Sequence, residues 1–249
     1  MASQKSTFIR SPTIDGAQKR CQLTAVCRVD ASLDTRLRTP KSLTPAEELP
    51  YLRQDSDGMS ATESTMMALG TRAPDFALPD VRTGRTFARD AVAGDRGLLV
   101  MFICNHCPFV KHVEKELARL GRDYSGRGIG IVGISPNDTD AYPDDAPPGL
   151  KAQAERAGFT FPYLYDAEQD TARAYDAACT PDLFLFGPDR TLVYRGQLDD
   201  SRPSNKMPVT GRDLRAALDA VIAGRPVPPD QRASIGCSIK WRKASSRTN

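Results

Sequence analysis

The sequence predicts an α/β domain over residues 70–224: a mixed central β-sheet with helices on both faces and a β-hairpin extension on its N-terminal side. Three observations carry that expectation. Two continuous apolar runs of strand length, at 98–103 and 129–134, have the character of strands buried on both faces. Around them lie segments whose apolar residues recur at three- and four-residue steps. Two further strand-like runs joined by a turn, followed by a last amphipathic helix, close the domain, so strands alternate with helices.

In order along the chain, 74–78 alternates as a short strand, and 82–87, centred on Gly84, reads as a hairpin turn into a second strand. The run 98–103 is the first buried strand. In the helix expected next, Val110, Val113, Leu117 and Leu120 share one face, with Gly121 as its C-cap. After the strand at 129–134 come a helix near 150–157, a strand over 161–165 and a short helix near 169–177. Strands over 183–186 and 191–194 are joined by Gly187-Pro188-Asp189-Arg190, a turn sequence. Thr210-Gly211-Arg212-Asp213 has the form of a capping box for the last helix, which carries Leu214, Leu218 and Val221 on one face. No internal repeat is present.

The flanks read differently. Residues 1–58 carry isolated apolar side chains without periodicity and bury too little to offset the entropy of ordering them. They are expected to be a disordered extension or a mis-assigned start, the chain proper opening at Met59, which leaves Cys21 and Cys27 without a role. Residues 59–69 are then a linker. Residues 225–249 form a C-terminal extension with a Cys237 segment and a basic tail from Lys240, expected to be frayed and solvated.

Composition limits the partners. The 34 basic and 31 acidic side chains leave a net charge of only +3, which gives no electrostatic reason to expect nucleic acid or an anionic membrane. No apolar run approaches the roughly 18 residues of a membrane span, and the N-terminus lacks the apolar core of a secretion signal. A cytoplasmic, reducing compartment is the expectation. Six cysteines there read as free, catalytic or metal-binding rather than as a disulfide framework.

Cys104-Asn105-His106-Cys107 stands where the first buried strand gives way to a helix. Unpaired N–H groups and the positive end of the helix dipole stabilise a thiolate, the nucleophile of thiol exchange. Two intervening residues keep the sulfurs close enough to form a disulfide. His106 is expected to lower the Cys104 thiol further, and Pro108 fits the first helical turn. A C-x-x-C in an α/β pattern reads as a redox dithiol. Two other readings stand beside it: a zinc site drawing on Cys104, Cys107, His106, Cys179 or Cys237, which lacks a second C-x-x-C to complete it, and a pair of inert buried cysteines. His112 reads as a surface helix residue. About seventy residues on, Cys179-Thr180-Pro181 precedes a strand, where a proline has either an edge position or a further role.

Gly70-x-x-Ala73-Pro74-Asp75-Phe76-x-Leu78 resembles the opening of the peroxiredoxin and alkyl-hydroperoxide-reductase superfamily. The stretches from Asn105 to His112, Phe161 to Asp166, Cys179 to Asp182 and Tyr194 to Asp200 resemble its thioredoxin-family, peroxiredoxin-like branch, as does Ser234-Ile235-Gly236-Cys237-Ser238-Ile239-Lys240-Trp241. The resemblance spans 70–241 and implies a thioredoxin-like fold in which Thr180-Pro181 is a cis peptide facing the dithiol and holding a substrate backbone. One departure bears on activity. Setting Cys107-Pro108 onto the peroxide-reactive Cys-Pro of peroxiredoxins puts Val100 at their proline position and Cys104 at their threonine position. Their arginine falls near Thr180-Pro181, so groups that would stabilise a departing oxygen are replaced.

The expected function is therefore thiol–disulfide exchange in redox homeostasis, with Cys104 attacking, Cys107 resolving, His106 tuning and Thr180 and Pro181 holding the substrate. Its partners are protein or small-molecule disulfides and an external thiol reductant; it needs no cofactor and no metal. Cys237, and beside it Cys179, are candidate third thiols. The alternatives are a peroxide reductase with Cys107 as the oxidised sulfur and Cys104 resolving it, or a non-catalytic metal- or partner-binding module.

Overall fold

A computed structural model describes residues 61–243. The expectations for 1–58, Cys21 and Cys27 among them, lie outside the described residues.

The chain runs through β1 (Ala61–Glu63), a hairpin of β2 (Ala77–Pro79) and β3 (Thr86–Ala88), α1 (Arg89–Val92), β4 (Gly97–Phe102) and α2 (Pro108–Tyr124). It continues with β5 (Ile129–Ser135), α3 (Pro147–Ala157), β6 (Tyr163–Tyr165), α4 (Asp170–Ala174), β7 (Cys179–Thr180), β8 (Asp182–Phe186), β9 (Leu192–Arg195), α5 (Arg212–Ile222) and β10 (Ile235–Ser238). The main sheet has the order β6-β5-β4-β8-β9. Its β6, β5 and β4 are parallel, whereas β8 and β9 join antiparallel. Central position explains why every residue of β4 is apolar or glycine and buried: the strand has no solvent side.

Alternation along the strands divides the core in two. Leu99, Met101, Ile131, Leu183 and Leu185 face a layer built by α2, α3 and α5. Leu98, Val100, Phe102, Val132, Ile134, Phe184 and Phe186 face the other side, where Ala172 of α4 and Tyr175 pack, with Phe87 and Val92 at the rim. Tyr175 meets Phe102, Phe184 and Phe186 edge-on at centroid distances of 5.5–5.9 Å, the arrangement aromatic quadrupoles favour. Helices thus cover both faces. Among the described residues no helix is long and apolar enough to cross a membrane.

Several local expectations change. Gly121 lies inside α2, which runs on to Tyr124. A Cβ there would stand 2.7 Å from Thr160 Oγ1 and 2.9 Å from Phe161 Cδ1, so the glycine permits close packing instead of ending the helix. The capping box is absent: Gly211, at φ +67°, is the N-cap of α5 without a side-chain cap. The buried Asp199 carboxylate accepts the Thr210 and Gly211 N–H groups in its place, both at 2.6 Å.

The flanks are more ordered than their composition suggested. The segment expected as linker supplies β1, and the C-terminal extension supplies β10, which pairs antiparallel with β1 on one edge and β7 on the other. Nor is the start of the basic tail frayed. Lys240 N–H donates to Asn137 Oδ1 (2.9 Å), its carbonyl accepts Gln169 Nε2 (2.9 Å), and Arg242 N–H donates to Gln169 Oε1 (2.8 Å). Backbone groups satisfied by buried polar side chains hold the chain down irrespective of its surface charges.

Candidate active site

The end of β4 hands the chain to Ile103 and Cys104, and Asn105 and His106 make a turn before α2. Pro108 takes the first helical position, where its missing N–H is one the helix leaves unpaired anyway. The N-cap is therefore Cys107, and Cys104 stands before the turn. This reverses the expected placement of the two sulfurs relative to the helix. Both residues are 0% exposed.

Asp145, in a short 3₁₀ turn at Pro143–Asp145, holds the turn in shape. Its Oδ1 accepts the N–H groups of Asn105 (2.8 Å) and His106 (3.0 Å). Its Oδ2 accepts Asn137 Nδ2 (2.8 Å) and His106 Nδ1 (2.5 Å). Burial pushes the Asp145 carboxyl up, but these donors outweigh it and hold the acid below the usual range, as an anion. His106 stacks on Tyr142 at 4.8 Å, and its Nε2 is buried without a partner. Sequence reasoning missed Asp145: a lone Asp in a loop 38 positions after Cys107 carries no spacing signal.

Cys104 Sγ lies 3.3 Å from Thr180 Oγ1. Burial pushes its thiol well above the ordinary value, the hydrogen bond it shares with Cys107 and the nearby Asp145 charge add to that, and Thr180 opposes only in part. The expectation that His106 lowers the Cys104 thiol fails for a geometric reason: the ring is engaged with Asp145, whose negative charge is what Cys104 feels. Cys107 behaves oppositely. Burial again pushes upward, but hydrogen bonds from Cys104 and Cys237, the Val110 N–H and Thr180 together pull the thiol well below its ordinary range. The Thr180 carbonyl oxygen, 3.1 Å from Cys107 Sγ, is the contact that favours the protonated form.

Thr180-Pro181 is a cis peptide against both sulfurs. Cys237, on β10, brings its Sγ to 2.8 Å from Cys107 Sγ, from 130 positions away in the chain. Cys179 is buried but turned elsewhere: its sulfur faces the Pro181 and Ser234 carbonyls at 3.6 and 4.0 Å, and burial first, then Asp182, pushes its thiol well up. His112 is half-buried, bonded to Ser201 Oγ at 2.7 Å. Among the described residues, metal-ligating atoms of Cys104, His106 and Asp145 lie within 4.8 Å of one another, close enough to hold a cation. The four hydrogen bonds on Asp145 already occupy that carboxylate.

Residues 69–195 match the sequence profile of the AhpC/TSA family. A crystal structure of an uncharacterized conserved protein from Geobacillus kaustophilus is 55% identical with a TM-score of 0.74, covering 76% of this chain and 100% of that one. The thiol-disulfide oxidoreductase ResA of Geobacillus thermodenitrificans is 30% identical over 130 residues, 50% of this chain and 67% of that protein. A Mycobacterium tuberculosis protein named as a candidate peroxiredoxin is 27% identical over 116 residues, 47% of this chain and 68% of its own length. A crystal structure described as a candidate thiol:disulfide interchange protein DsbE from Chlorobium tepidum shares 17% identity at a TM-score of 0.50, over 62% of this chain and 98% of that one. That likeness is one of fold, and the fold is thioredoxin-like.

Proposed function

The chain belongs to the AhpC/TSA family, whose members are redox proteins, and from that premise we propose that it is a thiol–disulfide oxidoreductase cycling Cys104 and Cys107 between dithiol and disulfide, with Cys107 attacking first. The observation that carries this reading is the contrast at the two sulfurs: donors converge on Cys107 at the helix N-cap, while Cys104 lies beside the Asp145 anion. The thiolate is the nucleophile of exchange, so the donor-rich sulfur goes first.

In this cycle Cys107 Sγ attacks one sulfur of an external disulfide. A mixed disulfide forms, the substrate bond breaks, and the first thiol leaves with a proton from solvent. Cys104 then gives up its proton and attacks Cys107 Sγ, closing the Cys104–Cys107 bond and releasing the second thiol. Two electrons have passed to the substrate, and an external thiol returns them. Asp145 and His106 position the turn, and Thr180 contacts both sulfurs from the opposite side.

The test is trapping. Cys104→Ser/Cys237→Ser, which leaves no second thiol beside Cys107, should accumulate a mixed disulfide on Cys107, and Cys107→Ser should abolish exchange. An adduct trapped on Cys104 in Cys107→Ser would reverse the order of attack.

Reduction of a peroxide by Cys107 is a second reading, favoured by one observation: both sulfurs are fully buried, which admits a small oxidant more readily than a polypeptide. There Cys107 becomes a sulfenic acid as the peroxide leaves as alcohol or water, and Cys104 condenses with it to a disulfide, releasing water. The buried Arg202 is spent on the Asp199 and Ser201 carbonyls and Gln197 Oε1. A Cys107 oxidation rate by hydrogen peroxide no faster than that of free cysteine removes this second reading.

A further inference from the structure

The exchange cycle above uses two sulfurs, yet three converge on the turn. We propose that Cys237 is a second disulfide partner of Cys107, delivered by strand β10, so that oxidation ties the C-terminal strand covalently to the dithiol turn. This rests on the reading that Cys107 is the exchanging thiolate.

Four features of β10 support it. Its register sets Cys237 opposite Thr180 of β7 and opposite Ala61 of β1, so the strand is pinned on both edges at the cysteine itself. The Cys237 and Cys107 sulfurs stand 2.8 Å apart, and Cys237 is 1% exposed, so it is no stray surface thiol. The strand also passes so close to the cis peptide that Gly236 has no room for a side chain: a Cβ there would lie 2.1 Å from the Thr180 carbonyl oxygen. Finally, Asn137 bonds both Asp145 and the Lys240 N–H, tying the base of the dithiol turn to the chain just beyond β10.

The chemistry balances as an exchange. Starting from the Cys104–Cys107 disulfide, Cys237 gives up its proton and attacks Cys107 Sγ. The Cys107–Cys237 bond forms, the Cys104–Cys107 bond breaks, and Cys104 departs as a thiolate that takes the proton. No electrons are gained or lost. Alternatively, Cys237 displaces the second thiol from a mixed disulfide on Cys107 directly, the substrate disulfide having taken the two electrons. The hydrogen bond to Cys107, then burial and the Cys107 charge, push the Cys237 thiol well up while Cys107 is a thiolate. Both steps start with Cys107 already in a disulfide, where that hydrogen bond and charge are gone and the Lys240 charge and Phe109 N–H still favour the anion.

The experiment oxidises the full-length Cys104→Ser and Cys104→Ser/Cys237→Ser proteins with oxidised glutathione, quenches in acid and maps linkages by mass. In Cys104→Ser the Cys107–Cys237 peptide should dominate. Its glutathione adduct on Cys107 should fall about tenfold or more below that of the double variant, because the tethered thiol outcompetes the free one. Should Cys104→Ser instead keep glutathione on Cys107 while Cys237 alkylates freely, the proposal is overturned. A double variant with no adduct on Cys107 removes the exchange reading and this inference with it. A variant that keeps all the remaining thiols guards against misfolding at Cys237: Cys104→Ser/Gly236→Ala, which lifts the strand from Thr180, should regain the adduct. Undiminished Cys107–Cys237 linkage there would refute the role given to β10.

Discussion

Cys104 and Cys107 are three positions apart and equally inaccessible, yet they prefer opposite charge states. Desolvation acts on both in the same upward direction. The difference comes from what surrounds each sulfur: an anion and a single hydroxyl on one side, a helix terminus and two thiols on the other. The same rule divides the buried carboxyls. Asp145, with four donors, is held low, whereas Asp182, with one oxygen unpartnered, is pushed by burial up to about 7 against the Ala178 N–H and other donors. Desolvation is the largest influence on both acids; at Asp145 the hydrogen bonds and charge of His106 together with Asn137 outweigh it, whereas at Asp182 hydrogen bonds alone do not.

The contrast is broken most severely by Asp145→Ala. Losing a buried anion and leaving four donors unpaired should cost about 3–5 kcal/mol in urea unfolding. It should also lower the Cys104 thiol toward that of Cys107, read by thiolate absorbance in a pH titration. If stability and the Cys104 titration both stay put, the turn does not depend on this carboxylate.

Asp182→Asn probes the acid at which desolvation prevails over its donors. A carboxyl whose folded value lies above its unfolded one binds its proton more tightly when folded. Its contribution to stability is full below about pH 4 and is lost as pH rises towards 7 and beyond. Wild type should therefore lose on the order of 4 kcal/mol relative to Asp182→Asn between pH 4 and pH 8. Parallel stability curves for the two proteins would refute the raised value.

On the donor-rich side the sign is opposite. A thiol lowered on folding contributes stability above its unfolded value, roughly pH 8.5, and loses it progressively as pH falls. The gap between reduced wild type and Cys107→Ala should thus widen from pH 5 to pH 9, and a gap independent of pH would mean that Cys107 stays protonated. The smallest effect expected is that of Cys237→Ala, which removes one thiol donor. It should raise the Cys107 titration and cost exchange about the worth of one hydrogen bond, roughly 1 kcal/mol. A Cys107 titration that does not move would show that the sulfur contact is not a hydrogen bond in solution.

Local pattern was enough for the buried strands, for the C-x-x-C turn and for Thr180-Pro181 as the strand-opening pair. Pro108 was also in view, and its preference for the first helical position already implies Cys107 as N-cap; Cys104 was set at the helix start by motif order instead. What could not be read were the long-range partners. Asp145 reaches the turn only because β5 and β4 pair side by side, bringing the loops at their ends together. Gly121 has the composition of a cap, and only the Thr160–Phe161 segment packed on α2 makes it an interior residue. The flanking strands β1 and β10 are too short and too mixed in composition to announce themselves, since each acquires its partner from the far end of the domain.

One further consequence lies in the chain distance between Cys107 and Cys237. A cross-link removes conformational freedom from the unfolded chain in proportion to the logarithm of the loop it closes. On that account the Cys104–Cys107 bond is worth about 2 kcal/mol, and a bond spanning 130 positions about 5 kcal/mol. Two oxidised forms of identical mass and oxidation state would then melt at different temperatures. Heat resistance would report which sulfur Cys107 holds, and transfer of the bond from Cys104 to Cys237 would change how readily the whole domain opens, with no change in its folded contacts.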